Sequence, residues 1–432
     1  MKKPVTILEI FLLIIFLFFL GQYLYYYPGR LQPFRHLPFP ERPAFKEITF
    51  PPTEIKIFSD VYEKKEGNVL LDLAHSNDFT LEEFSLPILR ITSRGYSFDY
   101  LESEDDLEGK LRYADALIII LPQDDFSEKE LKLIKDFAKK GGKLLLIGDP
   151  TRPGEINSVA TEFGLIFESD YLYNLKENDG NFRYIYLTNF KSDSELTKNL
   201  EKITLYSAGS ISPFEWGIVR TDENTFSSVA EAKKNFSPVL FSPDSKVLAI
   251  SDLTFMIEPY NLSTNNNQFI SNLADWLTKS ERTFYLSDFP YFFGDKVQLT
   301  YADASYIDTG LKLKNFLADL EKSSKLSQYE KTISGDLIFL GLFDDAPKVK
   351  DFLKEGKTTI DGKVAIEGIG KIDKKDTSIL YLNKESNALI LLSDTKENLE
   401  KSIDKLISGE FRNWLVTDTL AIYQIEAKEA EE

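Results

Sequence analysis

Two apolar runs, ADALIIILP at 114–122 and KLLLIGDP at 143–150, flank one amphipathic segment, and this arrangement restricts the possible folds more than any other feature of the chain. Runs this short and this apolar suit strands buried on both faces of a parallel sheet. The intervening SEKELKLIKDFAKKGG sets Leu131, Ile134, Phe137 and Ala138 along one helical face. Ser127 and Glu130 have the spacing of a capping box, and Gly141 and Gly142 end the helix. Strand, helix and strand in that order predict a right-handed βαβ unit.

The alternation continues on both sides. NVLLDLAH (68–75) reads as a strand followed by a helix with a second capping box, Thr80 and Glu83, and YSFDYL (96–101) as another strand. KVLAISD (246–252) and NNQFISNLADWLTK (266–279) add a strand and a closing helix. The fold class expected is α/β, with a doubly wound, flavodoxin-like parallel sheet over 55–282. A second, smaller α/β domain is expected over 283–425. It would be built from the strand-like GDLIFLGLF, TSILYL, NALILLSD and LAIYQI and the glycine-ended helices APKVKDFLKEG and TKENLEKSIDKLISG. The acidic EAKEAEE at 426–432 reads as a solvated tail.

Near the N-terminus, thirteen of the fourteen residues Ile7–Leu20 are Leu, Ile or Phe, with Glu9 the one acid. Val5 to Tyr27 has the length of about 20 residues that crosses hydrocarbon, and Tyr23, Tyr25, Tyr26 and Tyr27 resemble an interfacial belt. No A-x-A-like cleavage site follows. The expectation is therefore a cytoplasmic tip and single transmembrane helix over 1–27, making the cell membrane itself a partner. Lys2 and Lys3 would keep the N-terminus inside and place the body outside. Seven of the 18 prolines lie between Pro28 and Pro52, which predicts an extended stalk over 28–54.

Composition removes several function classes. Lysine and arginine number 51 against 69 acids, a net charge of -18 that repels phosphate backbones, so no nucleic acid is expected. With no cysteine there is no disulfide, thiolate metal site or cysteine nucleophile. His36 and His75 are the only histidines, too few for a multi-histidine zinc site, although carboxylate sites for calcium or magnesium stay compatible. No metal or cofactor is assigned.

Ligands of open α/β sheets sit at the carboxyl ends of the strands. The polar residues leaving those strands are Asp72, His75 and Asn77, then Gln123, Asp124 and Asp125, then Asp149, then Asp252. If the loops converge, they line one crevice suited to a sugar or a hard cation; the same residue types also cap helices and shape turns. No catalytic residue is assigned. His75 has no nucleophile beside it in sequence, and neither G-x-S-x-G nor G-x-x-x-x-G-K-[ST] occurs. EGIGKI reads as a turn. Asn235 and Asn261 open N-x-S sequons.

Taken together, VLLDLAHSN, ADALIIILPQDDFSEKELKLIKDFAKKGGKLLLIGDPTR, FGLIFESDYLYN, VLAISDLTFM and NNNQFISNLADWL resemble the class I glutamine amidotransferase-like domain of membrane-anchored prokaryotic proteins, over about Gly67 to Ser280. Similar domains occur in auxiliary subunits of gliding-type ABC transport systems. The resemblance implies a flavodoxin-like sheet and, in true amidotransferases, a cysteine on a strand-to-helix elbow of pattern G-x-C-x-G. The corresponding strand here ends IGDPTR, which places Asp149 at the elbow and leaves catalysis of that type lost. The function expected is non-enzymatic binding of a ligand or partner at the cell surface. Two alternatives stay open. One is an accessory subunit of an ABC-type transport or surface-polymer export complex, with a membrane-complex protein as partner. The other is a cation-dependent hydrolase using Asp72, His75, Asp149 and Asp252.

Overall fold

The computed structural model describes residues 7–26, 51–229, 235–279, 281–294, 296–331 and 335–424. Two units separate by contact, Met1–Pro51 and Pro52–Glu432. The first holds helix α1 (Ile7–Tyr26). Among the described residues no helix is long and apolar enough to cross a membrane, which corrects the transmembrane helix expected over Val5 to Tyr27. Glu9 and Gln22 interrupt the apolar run of α1 and leave Ile10 to Gly21, about 18 Å of helix, uninterrupted against a hydrocarbon layer of about 30 Å. Most of the expected stalk and the whole acidic tail lie outside the described residues. Thr53 and Glu54, assigned to the stalk, instead join the second unit: the Thr53 amide donates to Asp179 Oδ1 at 2.8 Å, and Lys202 reaches Glu54.

The second unit follows the expected alternation closely at first. It runs through β1 (Gly67–Asp72), α2 (Ser85–Ser93), β2 (Tyr96–Leu101), β3 (Ala116–Ile120), α3 (Glu128–Lys139) and β4 (Lys143–Ile147). After short strands β5 (Asn189–Phe190), β6 (Gly217–Arg220) and β7 (Val239–Phe241) come β8 (Val247–Ile250) and α4 (Asn266–Leu277). The eight strands form one sheet in the order β2-β1-β3-β4-β8-β7-β6-β5. The first five are mutually parallel, in the flavodoxin-type order.

The last three are antiparallel, so the sheet is mixed, which corrects the purely parallel sheet expected. The cause is local. Only 242–246 join β7 to β8, too short for the crossover of about a dozen residues that a parallel return needs. Ser245 N donates to Ser242 O at 2.8 Å and closes the turn as a hairpin.

Every residue of β3 and β4 is buried. Alternation sends Leu71, Ile118, Ile120, Leu145 and Ile147 to one face, where Ile91 of α2 and Phe269 and Leu273 of α4 cover them. Leu70, Leu117, Ile119, Leu144 and Leu146 go to the other, under Ile134 and Phe137 of α3. Each such side chain contributes roughly 1.5–3 kcal/mol of burial.

Beside a three-stranded sheet and three two-stranded ones, nine further elements build a second large mixed sheet and its helices. They are β9 (Lys296–Tyr301), α5 (Ile307–Asp319), β10 (Ser323–Gln328), β11 (Leu337–Leu342), β12 (Thr377–Asn383), β13 (Ala388–Ser393), α6 (Lys396–Ile407), β14 (Leu415–Thr417) and β15 (Leu420–Gln424). Their order is β10-β9-β11-β13-β12-β15-β14, parallel from β10 to β13 and antiparallel beyond. The two sheets are joined through 281–288. Gly141 lies at φ +93°, and a Cβ there would meet the Glu281 carbonyl at 2.5 Å, so the linking chain passes where only glycine fits. Lys140 pairs with Asp288 at 2.8 Å, and the Arg282 guanidinium donates to the carbonyls of Leu111 and Ala114.

One buried cation ties the helices of the first sheet together. Arg94, just past α2, is 1% exposed. Its Nη atoms donate to the Asp60 carboxylate at 3.2 Å, its Nε to Asp275 at 2.6 Å and its Nη2 to Ser271 Oγ at 2.9 Å, so it joins α2, α4 and the extended lead-in segment. Burial pushes the Asp60 carboxyl up, but the hydrogen bonds of Arg94 and Ser271 and the charges of Arg94 and Arg90 outweigh it and hold the group below its ordinary value. Breaking a buried pair from one side strands the other charge. Asp60→Ala is expected to lower unfolding stability by about 3–5 kcal/mol, with Arg94→Ala similar and the double variant well short of additive in urea titrations. The Asp60 contribution is fully present above about pH 4 and is lost as pH falls through the lowered folded value.

Candidate functional site

The strand order reverses between β1 and β3, and the residues leaving these two strands meet there. Asp72 ends β1 and is fully buried, as is His75 three residues on. The His75 ring places Nδ1 2.9 Å from Asp72 Oδ1 and Nε2 3.2 Å from Glu130 Oε1. The second contact is an ion pair out of line for a hydrogen bond. Phe126 stacks on the same ring, centroids 3.6 Å apart and planes 20° from parallel. Asn77 Nδ2 donates to Asp72 Oδ2 at 3.1 Å and to the Ile120 carbonyl at 2.8 Å, which ties the β1 loop to the end of β3.

Glu130 was read from sequence only as the third residue of the α3 capping box, and it is that. Its Oε2 accepts from Ser127 N at 2.9 Å and Ser127 Oγ at 2.6 Å. Its other oxygen faces His75, a role that spacing within a helix could not reveal. Burial alone would push the His75 pKa down. The hydrogen bond and charge of Asp72, with the charges of Glu130 and Glu104, outweigh burial and raise it. His75 thus clamps the β1 loop to the start of α3, between Asp72 and Glu130. Gln123 and Asp124 join through their backbones, both amides donating to the His75 carbonyl at 2.9 and 3.3 Å, while their side chains and that of Asp125 are exposed.

Asp149 and Asp252 form a separate group. β4 and β8 are paired in parallel with Ile147 opposite Ile250, and each aspartate lies two residues beyond its strand, so register sets the two carboxyls on neighbouring strand ends. Asp252 is fully buried; its Oδ2 accepts from Tyr206 N at 2.6 Å and its Oδ1 from Thr254 N at 2.7 Å. Burial and then the charge of Asp149 push its pKa well up, against those backbone donors. Asp149 is 5% exposed, with Oδ1 held by Thr151 N and Oγ1 at 2.8 and 2.5 Å. Its Oδ2 is buried with no hydrogen-bond partner among the described residues. Asp149 lines a cavity of about 360 Å³ together with Leu121, Arg152, Asp170, Tyr171 and Ser251.

The strained turn is not at Asp149. It is at Leu121, which follows β3 at φ +46° and is 2% exposed. A bulky residue in the left-handed region is a true outlier, held here by Leu121 N to the Ile147 carbonyl at 3.0 Å and Asp78 N to the Leu121 carbonyl at 2.9 Å. Nothing in ILPQ signals this from sequence. The buried Asn261, 8% exposed, closes one sequon to a glycan, whereas Asn235 is exposed.

A raised folded pKa means that the His75 contribution is fully present below the unfolded value of about 6.5 and is lost as pH rises through the folded value. Melting midpoints of the natural chain are expected to fall over that window relative to a plateau at lower pH. His75→Gln is expected to be less stable at pH 5.5 by about 2–4 kcal/mol, because it strands Asp72 and Glu130, and to show a flattened pH profile.

No family model matches the chain, and no curated protein matches it. Solved structures similar to it include the mmIFT52 N-terminal domain, 14% identical with a TM-score of 0.41, over 50% of this chain and 100% of that one. A ThuA-like protein of Bacteroides uniformis is 10% identical with a TM-score of 0.36, over 52% and 96% of the two chains. One of Parabacteroides merdae is 12% identical with a TM-score of 0.31, over 51% and 94%. ThuA-like proteins are glutamine amidotransferase-like. Likeness this distant leaves the activity to be read from the chain's own residues.

Proposed function

We propose that the chain is a non-enzymatic, amidotransferase-like protein that binds a ligand or partner at the carboxyl edge of its first sheet. What carries this is the sealing of His75. General base chemistry needs an imidazole within reach of a substrate proton. Here both ring nitrogens face carboxylates, Phe126 covers the ring, and no part of it is exposed. The strained strand end, where an amidotransferase would present its nucleophile, carries Leu121, whose side chain has no nucleophilic atom. The cavity of about 360 Å³ lined by Asp149, Arg152, Asp170 and Tyr171 is the feature of this edge best fitted to take a polar ligand.

The cation-dependent hydrolase has less support. Its four residues fall into two groups, with the oxygens of Asp72 and Asp252 already engaged by side chains or backbone amides. Among the described residues no three or more carboxylates and imidazoles are placed to hold a metal ion.

Two measurements on the full chain test this. Amide, ester and glycoside substrates are expected to turn over no faster with the natural protein than with Asp149→Asn; turnover abolished by that substitution would overturn the proposal. Calcium, magnesium and manganese are expected to leave the melting midpoint unmoved, since a ligand that binds only the folded state raises it.

A further inference from the structure

A larger cavity, about 690 Å³, opens at the opposite end of the same strands, where β4 begins and β8 is entered. That volume is within the range of small-molecule sites. Lys143, the first residue of β4, lines it and is only 9% exposed. Lysines this buried are ordinarily paired. Lys143 has no hydrogen-bond or ion-pair partner for its Nζ among the described residues; its one close feature is the Trp276 ring, 5.4 Å away at the centroid.

The neighbouring acids are already engaged. Glu281 pairs with Lys246 at 3.1 Å, Glu195 with Lys279 at 2.8 Å, and Asp244 accepts from Ser242 Oγ at 2.5 Å. Burial, and then the charge of Lys246, hold the Lys143 pKa below its ordinary value. The stem of Lys143 is buried while its ammonium opens on the cavity with only an aromatic face beside it, and a cation–π contact replaces only part of what an anion supplies.

The walls indicate what else the occupant carries. Phe241 lies against Trp276, centroids 5.3 Å apart, and both line the cavity, so a flat apolar surface adjoins the amine. Asp193 and Glu215 also line it, and with five acids against four lysines in the whole lining a multiply charged anion such as a phosphate ester is repelled more than a monoanion. We propose that this cavity binds a small monoanionic aromatic carboxylate, its carboxylate on Lys143 Nζ and its ring against Trp276 and Phe241. The site is independent of the carboxyl edge and stands whether or not that edge binds anything.

Calorimetry of the full chain with 2-naphthoate, and with neutral 2-naphthylmethanol as control, tests it. Saturable naphthoate binding is expected, weakened about tenfold or more by Lys143→Met, with the alcohol bound alike by both proteins. Unchanged circular dichroism and melting midpoint would show that the variant folds. If it does not fold, the unmutated chain still decides: naphthoate is expected to protect Lys143 from acetylation by limiting acetic anhydride, read by peptide mass. Absence of saturable naphthoate binding, equal affinity in a folded Lys143→Met, or no protection of Lys143 would each overturn the assignment.

Discussion

The two-sided burial of β3, β4 and β8 is the constraint on which the rest of the first sheet depends. A polar side chain between two apolar layers would lose water and gain no partner, at several kcal/mol. These strands therefore carry Leu, Ile, Val and Ala alone, apart from Lys143 at the very start of β4. All chemistry is displaced to the strand ends, where loops can supply backbone donors. Register then decides which end residues become neighbours, and the Ile147–Ile250 pairing brings Asp149 beside Asp252 though they are far apart in sequence.

At the switch between β1 and β3 the displaced groups satisfy one another. Asp72 takes His75 and Asn77, His75 lies between Asp72 and Glu130, and Glu130 also caps α3. A network of this kind, hydrogen-bonded except between His75 Nε2 and Glu130 Oε1, gives rigidity and buries the imidazole within it. Stability of the loop and exposure of the ring are thus opposed in one residue, and His75 is fully buried. Leu121 is likewise held in the left-handed region by backbone hydrogen bonds to the neighbouring strand end and loop.

Legibility in the sequence followed the length of the signal. Strands of five or six residues with a continuous apolar centre, such as β1, β3 and β4, and helices with both caps, such as α3, stand out because burial and capping act locally. β5, β6 and β7 have two to four residues each, too few for any period to show, and the antiparallel half of the sheet was hidden with them. β9, α5 and β10 were also missed; β10, in SSKLSQ, is mostly polar and lies at a sheet edge. The strand-end rule found Asp72, His75, Asn77, Asp149 and Asp252, yet their division into two groups depends on three-dimensional register. Gln123 and Asp124 enter this loop through their amides, which side-chain identity does not predict. The apolar α1 shows the converse, since composition alone favours a membrane span for which no described helix is long and apolar enough.

Asp149 and Lys143 close the comparison between the two ends of β4. Six residues at about 3.3 Å each set them roughly 20 Å apart. At an effective dielectric near 20 their attraction is about 1 kcal/mol or less, too weak for either charge to serve as the other's partner. Each must be compensated where it sits. Asp252, next to Asp149, receives backbone amides on both oxygens. Asp149 Oδ2 receives none among the described residues, and Lys143 has only an aromatic ring. The two ends of β4 thus each place a charged residue at a cavity, with Asp149 Oδ2 lacking a hydrogen-bond partner at one and Lys143 beside only an aromatic ring at the other.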